Sequence, residues 1–340
     1  MIKPSYCKIN NFGDRLNQVL AENLFSPLLG KHFEPKNSSS LVHLYAIGSF
    51  LSTGFLSRLN TGDKAIVLGM GAGYGDLPVQ QSFGLGRRFP VWIKNQLNLP
   101  LPADTLARGE YHRIYWVRGP LTARLLGLDP ALAISDAAYL IRFTDEGKRV
   151  ADLRRGGISF MPHYTAAVSS PGLKEICESV GIRYIDPRCG VDAILSAIGS
   201  SEVLMTEALH GAVVSDALRV PWIPLHSSDD VFEFKWLDFC ASIHLDYAPS
   251  HLPISWKRAF YNGRNAVSLI KNLTTRIRSG LSRWAVRPKD TALALLTASA
   301  RRPLLSSDQF IARIDQELPK RLQDLKRDVI ESTLFTPKLS

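Results

Sequence analysis

The sequence predicts an α/β protein of two parallel-sheet halves facing a cleft, followed by a helical C-terminal extension. Three observations carry that expectation. Short apolar runs, each too short for a helix, alternate with amphipathic stretches over roughly the first 250 residues, as stacked βα units require. A charged, turn-rich stretch, Thr144–Gly157, interrupts the alternation. After it a second series of runs begins, and beyond about residue 250 the pattern is helical only.

In chain order, the first series of strands is expected at Tyr6–Ile9, Leu41–Ile47, Ala65–Leu68, Ile114–Val117 and Leu132–Ile134. The second is expected at Ile158–Met161, Arg183–Ile185, Val203–Met205 and Trp222–Leu225. Helical periodicity falls between them, at Arg15–Leu24, Leu121–Leu128, Leu173–Val180, Val191–Ile198 and Ala212–Leu218. Pro221 closes the last of these. The expected division is a Rossmann-like domain over residues 1–150, a second over 151–250, and a basic helical extension over 251–340. In that extension Leu269, Ile270, Leu273, Ile277, Leu281 and Trp284 recur at helical spacing. Ser307–Ser332, rich in mixed charge, reads as an exposed or partner-facing helix.

Composition narrows the class. Hydrophobic content of 45% and charged content of 21% are those of a soluble globular protein. Met1–Asn10 has no apolar core of a secretory signal, and no run approaches the roughly 18 apolar residues of a membrane span. Cys7, Cys177, Cys189 and Cys240 lack C-x-x-C spacing, which argues against structural zinc and suits a reducing cytoplasm. The net charge of +10 is local: the segment Trp256–Lys289 holds nine basic residues and no acid. The rest is close to neutral, which excludes a general nucleic-acid-coating role. The basic segment suits either an anionic membrane surface or a solvated helix face.

Chemistry-bearing residues gather at the ends of predicted strands. Asn11-Phe12-Gly13-Asp14 follows the first, where Gly13 permits a tight turn and Asp14 either caps a helix or meets a ligand hydroxyl. Gly69-x-Gly71-x-Gly73 follows the third. No ribose-binding acid follows at dinucleotide spacing, so these glycines signal close backbone approach instead. Arg118 ends the next strand, and its guanidinium suits a phosphate or carboxylate, or else a local carboxylate. Ser135-Asp136, Pro162-His163 and Asp186-Pro187-Arg188 end others. In Glu207-Ala208-Leu209-His210-Gly211 an acid and an imidazole sit where a strand gives way to a helix, the edge at which open α/β sheets bind ligands and helix N–H groups favour anions. His210 can move a proton near neutral pH, although a structural histidine satisfies the same pattern.

The ordered set Asn11-x-Gly13-Asp14, Gly69-x-Gly71-x-Gly73, Val117-Arg118-Gly119, Ser135-Asp136 and Glu207-Ala-Leu-His210-Gly211 resembles the polysaccharide pyruvyl transferases. The run from Leu209 to Trp222 is similar to the branch that decorates bacterial exopolysaccharides, as is Phe234-Lys235-Trp236-x-Asp238-Phe239. Together these motifs cover approximately residues 5–250. The resemblance implies a glycosyltransferase-B-like pair of domains and transfer of a pyruvyl group from phosphoenolpyruvate to two sugar hydroxyls as a cyclic ketal, with no metal or redox cofactor. It implies His210 and Glu207 as the catalytic pair, and Arg118, Lys235 and the Gly211 N–H as donor-binding groups. Asn11, Gly13, Asp14, Gly71, Gly73 and Asp136 would line the cleft or the acceptor site. Many relatives carry a basic residue where this chain has Ala208, so that role passes to Arg118 or Lys235. The acceptor would be a lipid-linked oligosaccharide or polysaccharide met at the inner membrane face. Two other functions fit the same layout: a glycosyltransferase using a nucleotide sugar, and a membrane-associated scaffold without catalysis.

Overall fold

A computed structural model describes residues 1–6, 10–34, 42–51, 55, 63–72, 112–170, 172–227, 231–254 and 287–331. It is an α/β protein with two parallel sheets. The first sheet orders its strands β1 (Ile2–Pro4), β2 (Val42–Tyr45), β3 (Lys64–Met70) and β4 (His112–Val117) in sequence, all parallel. The second contains β5 (Ile158–Met161), β6 (Arg183–Tyr184), β7 (Val203–Thr206), β8 (Trp222–His226) and β9 (Ser250–His251). Its spatial order is β6-β5-β7-β8-β9, again all parallel. The direction of winding therefore reverses between β5 and β7, the place beyond whose C-terminal strand ends open α/β sheets bind ligands. β3 is buried along nearly its whole length, as a continuous apolar run covered on both faces must be.

The helices that matter for the site start at those strand ends. Helix α1 (Phe12–Leu20) buries Phe12, Leu16 and Leu20 on one stripe and continues through a π-helical turn, Ala21–Phe25, into α2 (Ser26–Leu29). Helix α3 (Pro120–Leu125) follows β4 with Pro120 in its first turn. Helices α5 (Tyr164–Ser169), α6 (Leu173–Ser179) and α7 (Val191–Gly199) connect the strands of the second half. Helix α8 (Leu209–Ala217) leaves β7 and is buried on almost every side. It is wedged between the halves, so Phe12, Trp116 and Tyr139 share one apolar cluster with Val213, Trp222 and Phe239.

Several expectations shift. The first strand is Ile2–Pro4, not Tyr6–Ile9, of which residues 7–9 lie outside the described residues. Leu132–Ile134 is not a strand. Pro130 opens a 3-10 turn whose Ala131 N–H is capped by Asp129, and Ala133 makes only a single bridge to Val117. Thr144–Gly157 is not all turn: Thr144 caps α4 (Asp145–Ala151), with acids in its first turn and bases in its last, the charge order that suits the helix dipole.

The C-terminal helices pack onto the sheets. Helix α10 (Pro288–Ser299) places Leu295 and Ala298 against Leu173 and Cys177. Helix α11 (Asp308–Ile330) does not face outward: Phe310, Ile314, Leu318, Leu322, Leu325 and Val329 are buried in the main core. Mixed charge along it masked a stripe with regular i, i+3/i+4 spacing. Buried Asp216 holds its start by accepting from Tyr139 Oη, Trp222 Nε1 and the Ser306 N–H. At its end Asp328 accepts from Tyr115 Oη of β4 at 2.8 Å. The helix thus spans from the second sheet to the first. Most of the basic segment, residues 256–286, lies outside the described residues.

Candidate functional site

The turn after β7 is shaped by its own side chains. Thr206 Oγ1 accepts the Ala208 N–H at 3.0 Å and donates to the Ala208 carbonyl, a local loop that ends the strand. The Gly211 N–H donates to that same carbonyl at 2.9 Å. It is therefore not presented to an anion, and the glycine serves packing: a Cβ there would lie 2.6 Å from Thr206 Oγ1.

His210 reaches from this turn across to the first half. Its ring lies against Gly13 at the start of α1, so closely that a Cβ on Gly13 would overlap Nδ1 and Cγ. Gly13 has no left-handed backbone; close approach, not a tight turn, is what requires glycine. On the other side, Nε2 stands 3.9 Å from Oδ2 of Asp136. Neither atom has a hydrogen-bond partner among the described residues. Asp136 is fully buried and caps the helical turn Ala137–Phe143, its Oδ1 accepting the Ala138 N–H at 2.9 Å. Burial, chiefly, raises its pKa to about 6 against the pull of Arg118, with Asp238 adding to the rise. The His210 side chain keeps 18% exposure. Desolvation, then the cations of Lys235 and Arg118, push its pKa down to about 3.

Lys235, in the first turn of α9 (Glu233–Ser242), is the charge these groups share. It acts on Asp14, Asp136, His163 and His210 together. Asp14 accepts from Asn11 Nδ2 at 3.2 Å, and burial raises its carboxyl above the usual range. His163, at the end of β5, donates its backbone N–H to Glu207 Oε2 at 3.3 Å, while its Nδ1 meets Thr165 Oγ1 at 2.8 Å. Its pKa is lowered to about 3, mainly by burial. Glu207 is fully buried with a raised pKa. No hydrogen bond joins it to His210, and the carboxylate facing the imidazole is Asp136. Three acids held up and two imidazoles held down describe a pocket that resists charge on all of them while keeping two cations nearby.

One of those cations is internal. Arg118 is fully buried, its Nε donating to Asp238 Oδ2 at 3.0 Å, Nη1 to Ser49 Oγ at 2.7 Å and Nη2 to the Ala72 carbonyl at 3.0 Å. Asp238 also accepts the Thr122 N–H and hydroxyl. Gly71 and Gly119 are glycines because a Cβ would overlap the guanidinium and Asp238 respectively. In this arrangement Arg118 braces the site from behind and does not line it.

The fold therefore gathers Asn11, Gly13, Asp14, Asp136, His210 and Lys235 at one place. Glu207 lies beside them but faces His163. Gly71 supports Arg118, and Gly73 lies outside the described residues. The sequence signal for His163 is its position at the end of β5, beside the winding reversal. Nothing local to Asp238 in the Phe234–Phe239 motif marks it as the partner of Arg118.

No family model matches the chain. It is 29% identical over 356 aligned positions to "Succinoglycan biosynthesis protein ExoV" of Rhizobium meliloti (strain 1021), an alignment covering 96% of this chain and 99% of that protein. The chain is thus similar, over nearly the whole length of both proteins, to a protein of succinoglycan biosynthesis.

Proposed function

We propose that the protein transfers the pyruvyl group of phosphoenolpyruvate to two hydroxyls of a sugar, as a cyclic ketal, on an exopolysaccharide or its lipid-linked precursor. The observation that carries this reading is the facing pair of atoms, His210 Nε2 and Asp136 Oδ2, without partners among the described residues and near the Lys235 charge. The end-to-end match to a succinoglycan biosynthesis protein supports the acceptor class.

The donor carries a phosphate and a carboxylate, and Lys235 is the cation placed to receive one of them. A proton delivered to the donor's methylene carbon leaves an oxocarbenium-like C2. The first sugar hydroxyl adds to C2 and loses its proton. The second then replaces phosphate, breaking the C2–O bond and closing the ketal. His210, partly exposed and held by Gly13, is the group placed to move these protons. Asn11 and Asp14 suit an acceptor hydroxyl. Phosphoenolpyruvate enters as co-substrate, and the reaction needs no redox cofactor or metal.

Incubation with phosphoenolpyruvate and extracted lipid-linked sugars should give the mass gain of a ketal together with free phosphate. His210→Ala should abolish the product while leaving the melting temperature nearly unchanged. Turnover of a nucleotide sugar, with no ketal on any acceptor, would replace this reading with glycosyl transfer.

No helix among the described residues is long and apolar enough to cross a membrane. The basic segment Trp256–Lys289 would instead hold the protein on an anionic cytoplasmic leaflet, where a lipid-linked acceptor resides. Replacing Arg276, Arg278 and Arg283 with Glu is expected to release the protein from phosphatidylserine-containing vesicles. Undiminished binding would reject the anchoring.

A further inference from the structure

The arrangement around His210 raises a question of supply: where the proton for the donor's methylene carbon comes from. Among the described residues, Oδ2 of Asp136 has no donor within reach and Nε2 of His210 has no partner, although the two face each other across 3.9 Å. Around them stand the Lys235 and Arg118 cations, the Asp14 and Glu207 carboxyls, the His163 imidazole, and Asp238 behind Arg118. Gly13 packs against the ring, leaving no room for a side chain between them. The gap is too wide for a direct hydrogen bond, and burial, then the Lys235 and Arg118 cations, discourage a positive charge on His210. At neutral pH the free enzyme thus holds little ready acid.

Resting on the pyruvyl-transfer reading, we propose that phosphoenolpyruvate loads the acid itself: its arrival draws one proton from solvent into the Asp136 Oδ2–His210 Nε2 gap, and His210 delivers that proton to the methylene carbon. The donor brings a dianionic phosphate and a carboxylate beside Lys235. That charge offsets the cations that add to burial in keeping His210 neutral and also disfavours ionised Asp136, so both groups bind a proton more readily. Asp136 is then a positioning and proton-loading residue, since it is fully buried, and His210 is the group that touches substrate.

The balance closes over a cycle. The loaded proton forms the new C–H bond, and the Nε2 lone pair is restored. The first sugar hydroxyl gives its proton back to the pair as its C–O bond forms. The second gives its proton to the departing phosphate as the C2–O(phosphate) bond breaks. When the ketal leaves, the loaded proton returns to solvent, so donor binding is proton-linked although turnover consumes none.

Calorimetric titration with phosphoenolpyruvate tests this in two buffers of different ionisation enthalpy. At about pH 8 the donor's own phosphate, with a second pKa near about 6, is fully ionised. The wild-type protein should take up about one proton per donor bound. Asp136→Asn keeps the acceptor for the Ala138 N–H, and His210→Gln keeps the ring's polarity; each should bind the donor with at most about half that uptake. A pH–rate profile adds a second readout, because Asp136→Asn should move the limb assigned to the acid, which a purely structural role would not. No uptake by wild type, or undiminished uptake in both variants, overturns the proposal. If ketal forms without proton uptake, pyruvyl transfer stands and the loading step falls. If phosphoenolpyruvate neither binds nor reacts, both fall together.

Discussion

Replacing Arg118 with methionine is expected to lower folding stability by about 3–5 kcal/mol, the usual cost of leaving one member of a buried ion pair uncompensated. Arg118 and Asp238 are both fully buried, and their bond joins residues 120 positions apart. Through Ser49, Ala72 and Thr122 the pair ties together the segments after β2, β3 and β4 and the helix that carries Lys235. Asp238 would keep the Thr122 donors but lose the guanidinium, and would become an unpaired charge in a dry site. Adding Asp238→Asn to Arg118→Met should therefore recover a good part of the loss, because no bare charge remains. Urea denaturation of the two single variants and the double variant measures this. A stability change below about 1 kcal/mol in Arg118→Met, together with lost phosphoenolpyruvate affinity, would return Arg118 to the role of a donor clamp.

That reversal shows what local sequence can and cannot carry. The apolar runs at Ala65–Leu68, Ile158–Met161, Val203–Met205 and Trp222–Leu225 are strands in the structure, because a buried parallel strand announces itself through composition alone. The Glu207–His210 turn was legible for the same reason: it follows such a strand and precedes a helix. What makes the site is not local. Gly13 looks like a turn glycine until an imidazole almost 200 residues later is seen resting on it. Arg118 looks like a ligand-binding cation until Asp238 is found against it. Asp136 carries the spacing of a helix cap and is one, through Oδ1; only its other oxygen faces His210. In each case the missing information was the partner across the fold, which neither periodicity nor spacing encodes.

Gly13→Ala is expected to reduce ketal formation by about 10²- to 10⁴-fold, the range for losing a positioned acid–base group. The added methyl would overlap the imidazole at Nδ1 and Cγ. Helix α1 is anchored by buried Phe12, Leu16 and Leu20, so the ring, which is 18% exposed, is what moves. Moving toward solvent separates Nε2 from Asp136. The stability loss at neutral pH should stay within about 2 kcal/mol, since overpacking of about 1–3 kcal/mol is partly offset by alanine's helix propensity of about 1 kcal/mol over glycine. Acidification should then separate the variant from wild type, with a definite sign. His210 is held neutral in the fold, its pKa lowered from 6.5 to about 3. Its contribution is complete above pH 6.5 and is lost as pH falls toward 3. Asp136 acts oppositely: its pKa is raised from 3.8 to about 6, so it favours the fold below 3.8 and that support is lost by about 6. The larger displacement belongs to His210, and His163 shares its direction, so wild type should lose stability on acidification through this window. With the ring released to water, His210 no longer contributes to that loss. Between pH 6.5 and 4.5 wild type should therefore lose up to about 2 kcal/mol more than the variant, at about 1.4 kcal/mol for each pH unit of a fully shifted group. Urea denaturation at the two pH values, beside kcat/KM at neutral pH, reads both effects. Parallel stability curves with activity within about threefold of wild type, a change worth under about 1 kcal/mol of transition-state stabilisation, would show that the ring keeps its place without the glycine.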